Sequence, residues 1–320
     1  MKRILFIILL LFSVTPLFAC FSDNSIEESI FAFDTIIEVK IRAPKEKINE
    51  HYEKVCDIFY YYDDISNAYI DNGKANVCRI NESDDFIEVD SELVELLKFS
   101  LSMMEKTNGH FNPLIGNLSN YYKRLIDSGE TSIDQEYVLA ELANMNASRI
   151  VFDGNRVKIE GKAKIDLGGV AKGYALSKVR EYLQENNIHY YLINAGSSSL
   201  SIGNKSGEYF VVGIKYDSNN ILYIKDLELG CASINEQYLK GDERLIHHIV
   251  NPLTGYPDTL HTSVYLIGED SGLIDAFATA FISMELSEIK KLCEENDLEY
   301  IIYNEDEVFK SNEGHYYGKD

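Results

Sequence analysis

The distribution of apolar residues limits most strongly what this chain can fold into. One unbroken apolar run, Ile4 to Phe12, lies near the N-terminus, and it is too short to span a bilayer as a helix. After it, no stretch is long and apolar enough to cross a membrane; apolar residues instead alternate or recur at helical spacing. About 300 residues can bury a large core as one or two domains. We therefore expect a soluble body of helices and strands after the N-terminal segment.

The N-terminal segment has the layout of an export signal. Lys2 and Arg3 precede the apolar run, and Leu17-Phe18-Ala19-Cys20 ends it with a small residue before a cysteine. This ending resembles a bacterial lipobox, although an ordinary cleaved signal followed by a chance cysteine remains an alternative. We expect residues 1–19 to be a lipoprotein signal peptide, Cys20 to be lipidated, and residues 20–30 to form a tether. The protein would then be anchored to a membrane, facing the periplasm or the cell exterior.

The charge of the chain argues against one class of partner. The formal net charge is −22, and without Lys2 and Arg3 it becomes −24, with 28 basic against 52 acidic residues. So negative a surface repels phosphate backbones, and we expect no nucleic-acid partner. An anionic nucleotide could bind only if something local neutralised it, and a divalent cation is the obvious candidate.

The cysteines after Cys20 do not indicate a zinc site, because they form no C-x-x-C and have no histidine at ligand spacing. We expect them to be isolated, partly buried thiols. They are Cys56, Cys78, Cys231 and Cys293.

Apolar periodicity predicts an α+β fold with mixed or antiparallel sheets packed against helices, because runs of strands are broken by several helices. No repeat or linker divides the chain, so residues 31–320 are expected to form a single domain. The predicted helices cover Lys47–Tyr61, Ser91–Lys106, the segment after Gly169 through Gln184, Gly272–Met284 and Leu286–Glu295. The predicted strands cover Ile30–Ile41, Arg149–Phe152, Arg156–Ile159, Tyr190–Ile193, Tyr209–Tyr216, Leu222–Leu227, Thr262–Ile267 and Tyr300–Tyr303.

The segment Lys164–Ala175 is the first motif with possible chemistry. A strand ends at Asp166, Gly168 and Gly169 turn the chain, and a helix begins with Lys172 in its first turns. Glycines allow close approach of the backbone to a ligand, and a helix N-terminus offers free N–H groups to phosphate. It is not a P-loop, and alone it fits a purely structural turn better.

A second motif, Asn194–Ser199, is a strand that runs into a small, hydroxyl-rich turn. Such a turn can contact a ligand closely, but by itself it is more often only a loop.

The third motif places His248 just before the rigid turn Asn251–Pro257. Histidine suits proton transfer near neutral pH, although a lone histidine is more often structural.

The fourth motif is Asp275 with Thr279 on an otherwise apolar helix, four residues apart and therefore on one face. A buried carboxylate needs a partner or a metal, and carboxylate and hydroxyl oxygens suit Mg²⁺. A carboxylate hydrogen-bonded to a helix end is an equally good interpretation of this segment alone.

Together, in this order and spacing, the four motifs resemble the ApbE family, the FAD:protein FMN transferases. The resemblance extends from about Phe31 to the last strand. It includes Phe33-Asp34-Thr35 for the family's Met-Gly-Thr, Gly109–Pro113 for Gly-x-Phe-Asp-Pro and, loosely, Ala232-Ser233-Ile234 for Thr-Ser-Gly. It implies an ApbE-like, T-fold-like architecture with one FAD-binding catalytic domain.

The resemblance also implies a reaction and a site. Family members use Mg²⁺ to transfer FMN from FAD to a threonine of an acceptor flavoprotein, forming a phosphoester and releasing AMP. It places Mg²⁺ on the Gly169 carbonyl, Asp275 and Thr279, and it makes Asp275 and His248 the catalytic residues, His248 by our hypothesis accepting the threonine proton. The FAD contacts that it implies are Phe33, Tyr69, His110, Phe111, Asn112, Asp166, Lys172, Asn194, Gly196, Ser197, Ser198, His248 and Ile249.

The expected partners are FAD and FMN-accepting membrane or extracytoplasmic flavoproteins, such as subunits of ion-pumping quinone reductases. Two alternatives remain open: an FAD pyrophosphatase that releases FMN and AMP, and a non-catalytic flavin-binding lipoprotein. The chain departs from the family pattern in the flavin and acceptor regions but not at the metal pair. The departures are Asn112, Ser197, Ile234 and Asn251.

Overall fold

The protein is built on antiparallel sheets. A computed structural model describes residues 23–196, 198–204, 209–214, 217–242, 244–304, 307–311 and 316–318. The predicted signal peptide, Cys20 and Ser197 lie outside these residues. The strands are β1 (Asp23–Ala32), β2 (Thr35–Pro44), β3 (Ile87–Glu88), β4 (Arg149–Asp153), β5 (Arg156–Glu160), β6 (Tyr190–Ala195), β7 (Ser199–Asn204), β8 (Phe210–Ile214), β9 (Asp217–Ile224), β10 (Glu228–Ser233), β11 (Tyr238–Lys240), β12 (Leu245–His247), β13 (Ser263–Gly268), β14 (Glu299–Tyr303), β15 (Val308–Lys310) and β16 (Tyr316–Gly318). The helices are α1 (Ile48–Ser66), α2 (Val77–Asn81), α3 (Ser91–Lys106), α4 (Gly116–Ser128), α5 (Gln135–Ala147), α6 (Ala171–Glu185), α7 (Ser271–Phe281) and α8 (Leu286–Glu295).

The largest sheet has eight strands in the order β1-β2-β6-β7-β10-β13-β14-β15. Every pair of neighbouring strands in this sheet is antiparallel. Smaller sheets have the orders β16-β9-β8, β3-β5-β4 and β11-β12. This arrangement confirms the predicted α+β class with antiparallel sheets.

The two faces of the large sheet are buried by different layers. On β13, Val264 and Leu266 face the main core with α6 and α7, whereas Tyr265 and Ile267 face a second core under β8 and β9. This alternation is the period-two pattern of a strand covered on both sides. A third cluster joins α4 and α5 to the segment around β12.

The N-terminal strand prediction was wrong in its extent. Residues Ile30–Ile41, predicted as one strand, span a hairpin in which Phe33 and Asp34 form the turn between β1 and β2. Both turn residues have left-handed backbone, with φ of 54° and 56°, where tight hairpins usually place Asn-Gly. The sequence lacks that signal, so the turn was not recognised. Residues 23–30, expected to be tether, are part of β1 instead.

Several predictions agree closely with the structure. The helices Ser91–Lys106 and Leu286–Glu295 have the predicted bounds, and the hairpin of β4 and β5 is present. The strand predicted at Leu222–Leu227 is displaced, since β9 ends at Ile224. Three helices, α2, α4 and α5, were not predicted, and α4 contributes residues to the cleft described below.

Two further properties concern membranes and thiols. Within the described part of the chain, no helix combines the length and apolar character needed to cross a bilayer. Cys56, Cys78 and Cys293 are buried and in no disulfide, as expected for isolated thiols.

Candidate functional site

A cleft of about 380 Å³ lies where the N-terminal parts of α4 and α6 and the middle of α7 meet the loops after β6, β10 and β12. Most of the predicted site residues line it, although they come from distant parts of the sequence. The predicted residues that line the cleft are Tyr69, His110, Phe111, Asn112, Asp166, Gly169, Lys172, Gly196, Ser198, His248, Ile249, Asp275 and Thr279.

The buried carboxylate of Asp275 is held by the start of α6. Asp275 is 7% exposed, and its Oδ2 accepts a hydrogen bond of 2.9 Å from the Gly173 backbone N–H. A Cβ on Gly173 would come within 2.5 Å of the Asp275 Cβ and 2.4 Å of the Ser271 carbonyl. Only glycine therefore lets α6 and α7 approach closely enough to form this contact.

The Thr279 hydroxyl and a glycine turn lie close to Asp275. Thr279, one turn later on α7, donates its hydroxyl to the Asp275 carbonyl at 3.1 Å and lines the cleft. A Cβ on Gly169 would lie 3.1 Å from the Thr279 Oγ1, so the Gly168-Gly169 turn lies against the same hydroxyl. A carboxylate, a hydroxyl and the backbone of a glycine turn offer oxygen ligands of the kind that suits Mg²⁺, which completes its shell with water and phosphate oxygens. The residues therefore fit the metal that the family resemblance implies.

The remaining carboxylate oxygen of Asp275 faces a lysine. The Lys172 Nζ lies 3.8 Å from the Asp275 Oδ1 and donates to the Ser199 hydroxyl at 2.5 Å. In the described residues, no cluster of three or more His, Cys, Asp or Glu side chains could hold a metal. A site with a single carboxylate would bind a cation weakly alone and more strongly with an anionic ligand.

Asp166 closes the turn that precedes α6. Its Oδ1 accepts from the Gly168 N–H at 2.8 Å, and its Oδ2 accepts from the Tyr69 hydroxyl at 2.9 Å. Its own N–H donates to the Pro113 carbonyl, which joins this turn to the segment before α4. The carboxylate therefore positions Tyr69 and the glycine turn at the wall of the cleft.

His248 is half-buried and oriented by a backbone carbonyl. Its Nδ1 lies 3.3 Å from the Gln237 carbonyl, which can only accept, so Nδ1 carries the proton and Nε2 is left as the acceptor. Burial lowers the pKa of His248, while the Gln237 carbonyl and the Glu236 carboxylate oppose that shift. The imidazole is therefore neutral at neutral pH, and its Nε2 can accept a proton at the wall of the cleft.

Asn112 and Asn251, which stand where the ApbE family pattern has aspartate, each shape a turn. The Asn112 Oδ1 accepts from the Leu114 N–H at 2.9 Å, and the Asn251 Oδ1 accepts from the Leu253 N–H at 3.0 Å. An amide oxygen can make this bond as a carboxylate oxygen does. Both substitutions keep the turn and remove a negative charge near the cleft.

Two predicted contact residues lie outside the cleft lining. Phe33 forms the β1–β2 turn and is partly buried against the main core. Asn194 projects from β6 on the other face of the sheet, where its Nδ2 donates to Glu38 at 2.9 Å. Gly196 does line the cleft with φ of +68°, and a Cβ there would lie 2.4 Å from the Thr35 Oγ1.

Part of the cleft lining is not predicted from the sequence. Lys123 on α4 reaches the cleft, and its Nζ lies 5.6 Å from the centre of the Tyr69 ring. Since α4 was not predicted, nothing in the sequence placed this lysine beside the site. The other lining residues that were not predicted as contacts are Ile115, Ser119, Gly168, Cys231, Ala232, Ser233, Glu236, Gln237, Val250 and Pro252.

Comparisons with known proteins agree with this architecture. The sequence profile of the ApbE family matches residues 33–302. A FAD:protein FMN transferase of Klebsiella pneumoniae is 25% identical over 241 residues, covering 70% of this chain and 73% of its own, and that of Treponema pallidum is 22% identical over 271 residues, covering 76% and 74%. The crystal structure of the ApbE protein of Thermotoga maritima superposes with a TM-score of 0.77 at 26% identity, covering 90% of this chain and 97% of that one. The flavin transferase ApbE of Vibrio cholerae gives a TM-score of 0.74 at 17% identity, covering 91% and 98%. With most of its length matched by the family profile, the chain belongs to the ApbE family.

Proposed function

We propose that this protein is a Mg²⁺-dependent FAD:protein FMN transferase that attaches FMN to a threonine of other flavoproteins. The observation that carries the proposal is the convergence of the Asp275–Thr279 pair, Lys172 and His248 on one cleft. Phosphoryl transfer needs positioning and charge neutralisation more than covalent help from the enzyme. The cleft offers both, and the named relatives are FAD:protein FMN transferases.

The reaction requires one proton acceptor from the chain. The acceptor threonine Oγ attacks the phosphorus of the FMN half, the bond from that phosphorus to the bridging oxygen breaks, and AMP leaves with that oxygen. The hydroxyl proton goes to the Nε2 of His248, whose Nδ1–H remains bonded to the Gln237 carbonyl. Lys172 and Lys123 line the same cleft and offset the negative charge of the pyrophosphate.

The metal would be held by the Asp275 carboxylate, the Thr279 hydroxyl and the Gly169 carbonyl. Bound there, Mg²⁺ supplies neutralisation of the charge that develops on the pyrophosphate oxygens. Gly173 and Lys172 hold the Asp275 carboxylate in place before the metal arrives.

The assay follows FMN directly. The protein is incubated with FAD, Mg²⁺ and the threonine-bearing FMN domain of a quinone reductase subunit, and the acceptor is weighed by mass spectrometry. We expect the mass of one FMN on the acceptor and an equal amount of AMP. Asp275→Asn should reduce this transfer by about 10²-fold or more, because the metal loses its carboxylate.

Glu295→Gln is the matched control, since it removes one negative charge from an exposed position on α8. It should transfer at the native rate. Free FMN and AMP without a modified acceptor would identify a pyrophosphatase instead, and unchanged FAD would indicate a non-catalytic flavin-binding protein. Full activity in Asp275→Asn would refute the metal assignment.

We also propose that the protein acts while anchored by lipid on Cys20 at the outer side of a membrane. The support is the order of basic, apolar and small residues before that cysteine. Acyl chains on Cys20 would hold the domain at the surface where its acceptors lie.

A further inference from the structure

A second groove, of about 310 Å³, lies beside the cleft. Ser198 and Cys231 line both concavities, and the Ser198 carbonyl accepts a hydrogen bond of 2.7 Å from the Cys231 N–H. The groove therefore borders the cleft at the start of β7 and the middle of β10. Neither the metal pair nor His248 lines it.

One wall of this groove is the edge of a strand. Four consecutive residues of β8, from Phe210 to Gly213, line it. Successive side chains of a strand point to opposite faces, so four in a row can border one groove only if it runs along the backbone edge.

The floor of the groove is one face of the large sheet. Asn194 is paired across strands with Leu200, and Leu200 with Leu229, so these side chains point to the same side. Cys231 and Tyr265 form another such pair on the floor. The floor is mainly apolar, and its one carboxylate, Glu38, accepts from the Asn194 amide.

No strand of the described part of the chain pairs with β8 on the groove side. Among the described residues β8 pairs only with β9, and it ends the sheet β16-β9-β8. Its sequence, Phe210–Ile214, carries no charge or proline, and Val211 is 62% exposed. Native proteins usually protect such edges, and an unprotected edge is a template for an added strand.

We propose that β8 and this groove bind an extended segment of the acceptor protein, which adds as a strand to β8 and presents its threonine to the cleft. The inference rests on the proposed function and identifies how the acceptor is recognised. Apolar side chains of the segment would lie on Leu200 and Leu229. Because Glu38 lies in the floor and the mature chain carries a charge of −24, the segment is uncharged or basic rather than acidic.

The test separates acceptor binding from FAD binding. With the quinone reductase FMN domain as acceptor, Val211→Glu should raise the acceptor KM by about tenfold, since it places a carboxylate at the edge. The KM for FAD should stay within about twofold of the native value. Val211→Thr keeps strand propensity and adds no charge, so it should restore most of the acceptor affinity.

Val308→Glu is the matched control. Val308 is 47% exposed on the edge strand β15, and it lines neither the groove nor the cleft. It should leave both KM values unchanged. An unchanged acceptor KM in Val211→Glu would overturn this inference while leaving the transferase proposal standing. A raised KM for FAD would assign the groove to the flavin, and that result would overturn it too. Failure of the native protein to modify the acceptor would instead refute the proposed function.

Discussion

At the scale of single residues, hydrogen-bond partners decide what each ionisable group can do. The Asp166 carboxylate is committed to Gly168 and Tyr69, so it shapes the wall of the cleft. Asp275 shares one oxygen with the Gly173 N–H and keeps the other beside Lys172. Two aspartates in one cleft thus have different roles, set by their neighbours rather than by their own chemistry.

The role of His248 predicts the pH dependence of transfer. Burial lowers the pKa of His248 below its ordinary value of 6.5, so the ring stays neutral through pH 7. The neighbouring Glu236 carboxylate opposes this lowering of the His248 pKa. The adjacent His247 is buried, its pKa is lowered to about 4, and it is therefore also neutral near pH 7. We expect kcat to be constant near neutral pH and to fall only as the pH drops through the lowered pKa, because a protonated ring cannot accept the threonine proton. Measuring kcat from pH 4.5 to 8 checks this.

Replacing His248 should remove the fall in kcat at low pH. His248→Gln is expected to lower kcat by about 10²–10⁴-fold while FAD still binds. His189→Gln, at an exposed position outside the cleft, is the control and should keep the native profile. Equal loss of FAD affinity and kcat in His248→Gln would show a binding role instead.

At the scale of elements, one buried network connects the parts that carry the site. Glu228 on β10 is fully buried and accepts from Arg180 on α6 at 2.6 Å and from Ser201 on β7 at 2.7 Å. It also accepts from Ser271, the first residue of α7. Burial raises the pKa of the Glu228 carboxyl, and Arg180 with the two serines opposes that rise. The helix that bears Asp275 and the helix that bears Lys172 are thereby tied to the same strand.

Removing the Glu228 carboxylate from this network should lower the stability of the protein. Glu228→Ala leaves the largely buried Arg180 side chain without its carboxylate partner, and we expect the free energy of unfolding to fall by about 3–5 kcal/mol. The double change Arg180→Met with Glu228→Leu removes both charges and should recover most of that loss. Urea denaturation of the native protein, Glu228→Ala and the double variant measures the differences in the free energy of unfolding. A double variant as unstable as Glu228→Ala would show that packing, not the unpaired charge, sets the cost.

Helices were predicted correctly where the apolar residues that the structure buries recur at helical spacing in the sequence. Helix α3 has buried apolar residues at helical spacing, and its predicted bounds are correct. Helix α5 buries only Val138 and Met145, so its apolar pattern is weak, and it was missed. The β1–β2 turn was missed because Phe33 adopts a left-handed backbone, which a bulky side chain rarely does, and no glycine marks the turn.

At the scale of the whole molecule, the lipid anchor proposed on Cys20 makes a prediction about location. Cys20→Ser should move the protein from the membrane fraction to the soluble extracytoplasmic fraction, because no acyl chain can then be attached. Fractionation with labelled palmitate measures both the label and the location. The control Cys78→Ser changes a buried thiol in the domain and should leave the protein at the membrane. Membrane retention of unlabelled Cys20→Ser would refute lipid anchoring.

The amino-acid sequence alone predicted the α+β class, most of the helices, about half of the strands and the ordered motifs that carry the family resemblance. It could do so because glycine turns, helical periodicity and a buried Asp–Thr pair are local patterns. Only the tertiary structure decided that Lys123 reaches the cleft, that Asn194 turns away from it, and that the Gln237 carbonyl fixes the proton on His248. These facts depend on which face of a strand or helix is covered and by what. Such contacts join residues far apart in the chain, and no local pattern encodes them.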